Sequence, residues 1–259
     1  MNCPWCGGYY LKSMKSLNPK RLKLFKGKTS VLISGGYDKQ GKLPWREHLS
    51  FLKKIRRQGL KINLHPGICE KEDIEPLKEL SPVISFDFIT DDDLLEEAGF
   101  SVQKKDFLSS FELLQAQKIR VIPHLLVGRN RGKIKTEYEG LKILADYSLK
   151  KLVFLIFIPA PGTAFSAFSP PSLSELEKFF FFAREALPRT DFYLGCMRPR
   201  GFGREKIEEL AIKYQFVKIV MPAKRTQKQM KENNFRIKEQ KECCAFDSGN
   251  SRDRGGSGT

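Results

Sequence analysis

The residues best equipped for chemistry stand at the start of the chain. Cys3 and Cys6, in Cys-Pro-Trp-Cys, form a CxxC pair with an aromatic residue before the second thiol. Such a pair has three readings: a thioredoxin-like redox couple, half of a zinc knuckle, or part of an iron–sulfur loop. A redox couple should follow a strand and open a helix, yet only Met1 and Asn2 precede Cys3. A zinc site needs two more ligands at matched spacing, and the sequence holds no second CxxC. An iron–sulfur cluster suits soft cysteine sulfur.

The remaining cysteines are Cys69, Cys196, Cys243 and Cys244. Six cysteines are too few for a disulfide framework in 259 residues, so metal ligands or buried thiols are expected. Cys69 reads as a buried small hydrophobe. His65 and His124 stand beside prolines and read as structural histidines. Arg198 and Arg200, in Gly-Cys-Met-Arg-Pro-Arg-Gly, read as cations at a cavity mouth that hold a carboxylate or sulfide. The acidic run 91–93 reads as a solvated helix start.

These residues need a scaffold, and the chain supplies a repeating one. Short apolar runs at 30–34, 61–65, 83–89, 121–127, 152–158, 192–194 and 216–220 read as strands. Most lack clean alternation, which fits a parallel sheet covered on both faces. Between them, 45–58, 107–117, 137–147, 172–185 and 205–213 carry helical periodicity. Pro171-Ser172 followed by Glu175 is a capping start, and the four phenylalanines at 179–182 are expected to pack on the sheet. Seven strands alternating with helices predict an α/β fold, a (β/α) barrel or a long open parallel sheet. The chemistry then lies at the strands' C-terminal ends, where Gly, Pro, Cys, Asp and Arg gather.

With 41% hydrophobic and 29% charged residues, wholesale disorder, collagen and coiled coil are excluded. The apolar stretch 152–160 is under half a membrane span, and the N-terminus has no signal design; a cytoplasmic protein without a membrane partner is expected. The net charge of +16 attracts anionic partners, either acidic proteins or metabolites, with nucleic acid the weaker alternative. The tail 247–259, rich in Gly, Ser and Arg, is expected to be disordered, leaving 1–246 as one domain.

CPWCGG, followed about thirty residues later by a strand ending in Gly35-Gly36, resembles the radical S-adenosylmethionine (SAM) superfamily. HPGIC, SFDFI, GRNRGKIKTE and PAPGT resemble strand ends of its biotin-synthase-like branch. SGGYDKQGKLPWREHL, NLHPG, GCMRPRG and ECCAF resemble the smaller component of a two-component lipoyl synthase.

The resemblance implies a TIM-type (β/α) barrel lacking its first strand here. It implies a [4Fe–4S] cluster held by Cys3 and Cys6, with Trp5 beside it and SAM received at Gly35 and Gly36. Asp87 would meet the ribose, and Glu137, in a departed GxIxGxxE element, the adenine. The superfamily's CxxxCxxC has a further cysteine, which would fall upstream of Met1; a truncated or misassigned start is the expected explanation. Cys196, Cys243 and Cys244 would hold a second iron–sulfur cluster, completed by Cys69 or Arg198.

The implied activity is C–H activation by a 5′-deoxyadenosyl radical, followed by sulfur insertion into an octanoyl chain. The implied partners are an octanoylated lipoyl-carrier domain or small acyl substrate, a second radical SAM subunit and an electron donor. Biotin-synthase-like insertion, hydrogenase-maturation-like chemistry, and a degenerate non-catalytic barrel binding SAM or RNA remain alternatives.

Overall fold

The computed structural model describes residues 3–4, 6–18, 20, 25–80 and 82–246. Trp5 and the tail 247–259 lie outside the described residues, and so do the expectations placed on them.

Seven parallel strands follow the chain order: β1 (Ser30–Ile33), β2 (Lys61–Leu64), β3 (Val83–Asp87), β4 (Val121–Val127), β5 (Lys151–Ile156), β6 (Asp191–Leu194) and β7 (Lys218–Ile219). Each pairs only with its sequence neighbours, and the sheet curls into a half-barrel. All seven expected strands form. Right-handed crossovers between parallel strands put helices on one face: α1 (Leu49–Arg57), α2 (Lys71–Leu80), α3 (Asp92–Glu97), α4 (Lys104–Ala116), α5 (Glu137–Ala145), α6 (Leu173–Ala186), α7 (Phe202–Lys213) and α8 (Lys224–Glu232).

The main core lies between helices and sheet. Ile62, Leu64, Ile84, Phe86, Phe154 and Phe192 point from the strands toward it. The alternate positions, Asn63, Ser85, Asp87, His124, Val153 and Tyr193, turn to the concave face, because side chains alternate along a strand. This period-two split makes one face greasy and leaves the other free for polar groups.

Local signals explain the helix limits. The α6 start is a reciprocal box: the Glu175 N–H donates to Ser172 Oγ (3.2 Å), and the Ser172 N–H donates to the Glu175 carboxylate (2.9 Å). Of the four phenylalanines, Phe179 and Phe180 are fully buried, whereas Phe181 is 57% exposed. Each buried ring contributes about 1.5–3 kcal/mol. Phe182 is partly buried against Tyr138 at 5.1 Å, so three of the four rings pack and only Phe181 faces out.

The expected helix 45–58 is split. Trp45–His48 is a 3₁₀ turn, and the α-helix starts at Leu49. Helix α4 starts at Lys104, three residues before its expected start, under a Gln103–Asp106 capping box. The acidic run does open a helix, but Asp91 is buried, accepting a hydrogen bond from Leu94 N–H at 3.1 Å. No helix among the described residues is long and apolar enough to cross a membrane.

Candidate active site at the open end of the half-barrel

The loop carrying Cys3 and Cys6 is held by backbone bonds. Gly7 N–H donates to Cys3 O (2.7 Å), Tyr9 N–H to Cys6 O (2.6 Å), and Phe165 N–H to Pro4 O (3.0 Å). The last bond ties the loop to the segment after β5, at the strands' C-terminal ends. Cys6 is pulled down to about 6, chiefly by a hydrogen bond from the Cys3 thiol; burial opposes this, and Gly8 N–H and Arg129 assist. Cys6 is therefore a thiolate at neutral pH, the form that binds metal or attacks electrophiles. Its reaction with iodoacetamide, followed by peptide mass spectrometry, should rise as pH passes through about 6 and level off above 7. Cys69, buried and pushed up by desolvation, should stay inert over the same range.

Gly35 and Gly36 follow β1 after Ser34. Neither has a positive φ, and the space beside them is bounded only by leucine side-chain ends. A Cβ on Gly35 would lie 2.7 Å from Leu43 Cδ1, and one on Gly36 3.4 Å from Leu11 Cδ1. The next residue, Tyr37, donates its hydroxyl to Asp87 Oδ2 at 2.9 Å. Burial and the Asp87 charge push Tyr37 well up, so it stays a donor. Asp87 thus faces the mouth with one oxygen engaged. It and Arg129 act electrostatically on Cys6, in opposite senses.

Glu137 is placed differently from its expected adenine contact. It is 4% exposed, and Oε1 accepts from Gly128 N–H (2.7 Å) and Arg129 N–H (3.1 Å) while Oε2 accepts from Lys135 N–H (2.8 Å). Burial raises its pKa against those three bonds. Its visible work is to fold the loop after β4, and so to place Arg129 near Cys6. Gly132 permits the turn: φ is +82°, and a Cβ would collide with Ser169 O.

The second cysteine set is brought together in part. Cys243 Sγ lies 3.6 Å from Cys244 Sγ and accepts from Asn63 Nδ2 at 3.2 Å. The Cys244 proton and Asn63 pull Cys243 down to about 6 against burial, while Cys244 is pushed up. Cys244 Sγ is 3.8 Å from His124 Nε2. Cys196 is exposed, and the Cys243 charge adds to burial in raising it.

Residues 243–246 lie on the concave face of the sheet. Cys244, Ala245 and Phe246 pack against Val83, Ile122, Val153 and Tyr193, near the N-terminal ends of β3 to β6. Lys61, first in β2, pairs with Glu242 at 3.1 Å, and Lys218, first in β7, donates to Phe246 O at 2.6 Å. The segment is held there because its apolar residues meet apolar positions of the concave face.

Arg198 is also corrected. It is 3% exposed and spent on Glu208 (2.6 Å), Gly195 O (2.7 Å) and Val220 O (2.7 Å). It anchors the segment after β6 and holds no ligand. His124, buried and pushed down to about 4, is neutral; its Nδ1 bonds Ile122 O at 3.0 Å, the structural role expected of it. Its ring lies 5.3 Å from that of His65, whose pKa burial lowers. Tyr37, Asn63, Ser85 and Arg129 were not singled out from sequence. A signal existed for two of them: Asn63 and Ser85 are polar residues at inward positions of otherwise apolar strands, bonded to each other at 2.8 Å.

The fit to a cluster is partial. Cys3 and Cys6 offer two thiol ligands, and among the described residues no group of three His, Cys, Asp or Glu is placed to hold a metal. The same holds for Cys196, Cys243 and Cys244.

No protein-family model matches the chain, and no curated protein matches it. Solved structures do. Methylornithine synthase (PylB) superposes with a TM-score of 0.64 at 15% identity, covering 92% of this chain and 79% of that one. The FeFe-hydrogenase maturase HydG from Carboxydothermus hydrogenoformans gives 0.55 at 17% identity, covering 84% of this chain and 55% of that one. The chain thus spans about half the length of the maturase. At these identities the likeness is one of fold, and the fold shared is a partial (β/α) barrel.

Proposed function

We propose that the chain is a radical SAM enzyme, with Cys3 and Cys6 giving two of the thiolates that hold a [4Fe–4S] cluster. The observation that carries this is the Cys3–Cys6 loop, tied by Phe165 N–H to the C-terminal mouth of a partial (β/α) barrel, with the Cys3 hydrogen bond favouring ionisation of Cys6. When bound, such a cluster supplies the single electron that splits SAM. The chain's own residues have simpler tasks. Gly35 and Gly36 offer backbone to the methionine end of SAM, and Asp87, fixed by Tyr37, offers its carboxylate to the ribose. Arg129, placed by Glu137, keeps Cys6 ionised. The test is anaerobic assembly of the full-length protein with iron and sulfide, followed by dithionite and SAM. Methionine and 5′-deoxyadenosine should form; none from an iron-loaded protein would reject the reading.

The finer reading is sulfur insertion into an octanoyl chain on a lipoyl-carrier domain or a small acyl substrate, alongside a second radical SAM subunit and an electron donor. Its support is the adjacent Cys243–Cys244 pair and the charge of +16, which suits an acidic carrier. It requires a second cluster. In the same assembly, iron above about four per chain, lost in Cys196→Ala with Cys243→Ala, would favour it. A ceiling near four would remove it.

A second reading rests on the Cys3–Cys6 hydrogen bond itself: a thiol–disulfide couple. A low-pKa thiol hydrogen-bonded to its CxxC partner is also the signature of such a couple. Iron binding and reversible disulfide formation separate the two.

A further inference from the structure

We propose that the cavity beside the cysteine loop binds a small aliphatic carboxylate, one that carries no ammonium group, and that Lys12 and Arg200 hold its carboxylate. The cavity is about 630 Å³ and is formed by the 3₁₀ turn Tyr9–Ser13, the segment after β5 and the segment after β6. That volume lies in the range of small-molecule sites. All three elements meet at the C-terminal mouth, so the cavity adjoins the place where SAM chemistry would occur. As a substrate pocket it rests on the radical SAM reading.

Its lining fixes the chemical class. Ile158, Pro159, Ala160 and Met197 give an apolar wall suited to methylene groups. Three cations border the space and no carboxylate does. Arg198 is neutralised from behind by Glu208, which leaves Lys12 and Arg200. Neither is paired with a carboxylate among the described residues. Lys12 is steered by the Tyr9 ring, whose centroid lies 5.9 Å from Nζ. Two uncompensated cations beside an apolar wall favour a ligand with an aliphatic body and an anionic end.

An amino acid would bring an ammonium group to a lining with no acid. An acyl chain in amide linkage to a carrier would leave both cations unanswered. The free carboxylate answers them. Cys196, exposed and on the same lining, reports occupancy.

The test uses octanoate, octanamide and octylamine as probes, titrated calorimetrically into the full chain without iron or SAM. Octanoate should bind about tenfold more tightly than octanamide, the gain of one charge-assisted contact, and octylamine should not bind. In the K12Q/R200Q double variant, octanoate should fall to the level of octanamide, with an unchanged circular-dichroism melt. Octanoate should also slow alkylation of Cys196 by iodoacetamide.

Equal affinity for octanoate and octanamide would overturn the proposal. So would an octanoate advantage retained in the double variant, or saturation without protection of Cys196. Should the double variant not fold, the wild-type ratio and the Cys196 protection decide. Because no arm needs the cluster, loss of this pocket and loss of the radical SAM reading are seen separately.

Discussion

Cys6→Ala is expected to lose iron binding and SAM cleavage completely, and Cys3→Ala to do the same. A methyl group cannot ligate iron, and each variant leaves the loop one thiol. The two losses are coupled, because the Cys3 hydrogen bond is the main reason Cys6 ionises. In Cys3→Ala the remaining thiol should therefore titrate higher, and iodoacetamide kinetics will show it. Cys69→Ala is the control. Cys69 is buried, with its N–H donating to Ser110 Oγ at 2.7 Å, far from the Cys3–Cys6 loop in role and partners. It should keep both iron and cleavage, losing only the small stability due to a buried thiol.

Glu208→Ala is expected to have the largest effect on stability. Glu208 is fully buried. Oε1 accepts from Arg198 Nη2 (2.6 Å) and Arg204 Nε (3.1 Å), and Oε2 from the Thr226 hydroxyl (2.6 Å) and Ala223 N–H (2.9 Å). The carboxylate thus joins α7 to the start of α8 and, through Arg198, to the segment carrying Cys196 and Arg200. Deleting one partner of a buried pair leaves the other charge uncompensated, at a cost of about 3–5 kcal/mol. For a domain this large the midpoint of thermal unfolding should fall by about 10 °C. An Arg198→Met/Glu208→Met double variant should lose less, because the one fully buried cation leaves with its partner and Arg204, 29% exposed, can reach solvent.

The same site sets an acid limit. Burial opposes ionisation of Glu208, but Thr226, Arg198 and Ala223 together lower its pKa below the ordinary value. Its stabilisation is therefore full above the unfolded carboxylate pKa, about 4.3, and is lost as pH falls through the depressed folded value.

Where apolar periodicity was strong, the architecture could be read from the chain. The seven strands stand out because parallel strands covered by helices need continuous Val, Ile and Phe, as in 152–158. Two helices lacked that signal. Helix α2 contains Pro76, which reads as a breaker, yet Ile74, Leu77 and Leu80 are buried and carry the helix through it. Helix α8, KRTQKQMKE, buries only Thr226, so it has almost no apolar stripe to detect. It is held by Glu208 instead, a contact between residues far apart in sequence.

The site divides in the same way. That Cys3, Cys6, Gly35, Gly36 and Asp87 gather at one end of the sheet was legible because each belongs to a motif or a strand end, and strand ends converge in a barrel. The partners of Asp87, Glu137 and Arg198 were not, since hydrogen bonds to Tyr37, to Gly128 and to Glu208 depend on how loops cross the mouth. The location of residues 243–246 was not legible for a related reason. ECCAF has no period to place it, and the burial of Phe246 and Ala245 decided the outcome.

The most direct measurement is electron paramagnetic resonance of the full-length protein, assembled anaerobically with iron and sulfide and reduced by dithionite, with and without SAM. A cluster with one iron open to SAM gives a reduced [4Fe–4S] signal that shifts when SAM is added, absent in Cys6→Ala. The contrary result is a protein that takes up no iron while Cys3 and Cys6 form a disulfide that dithiothreitol reverses; the CxxC would then be a redox couple, and the barrel a scaffold without radical chemistry.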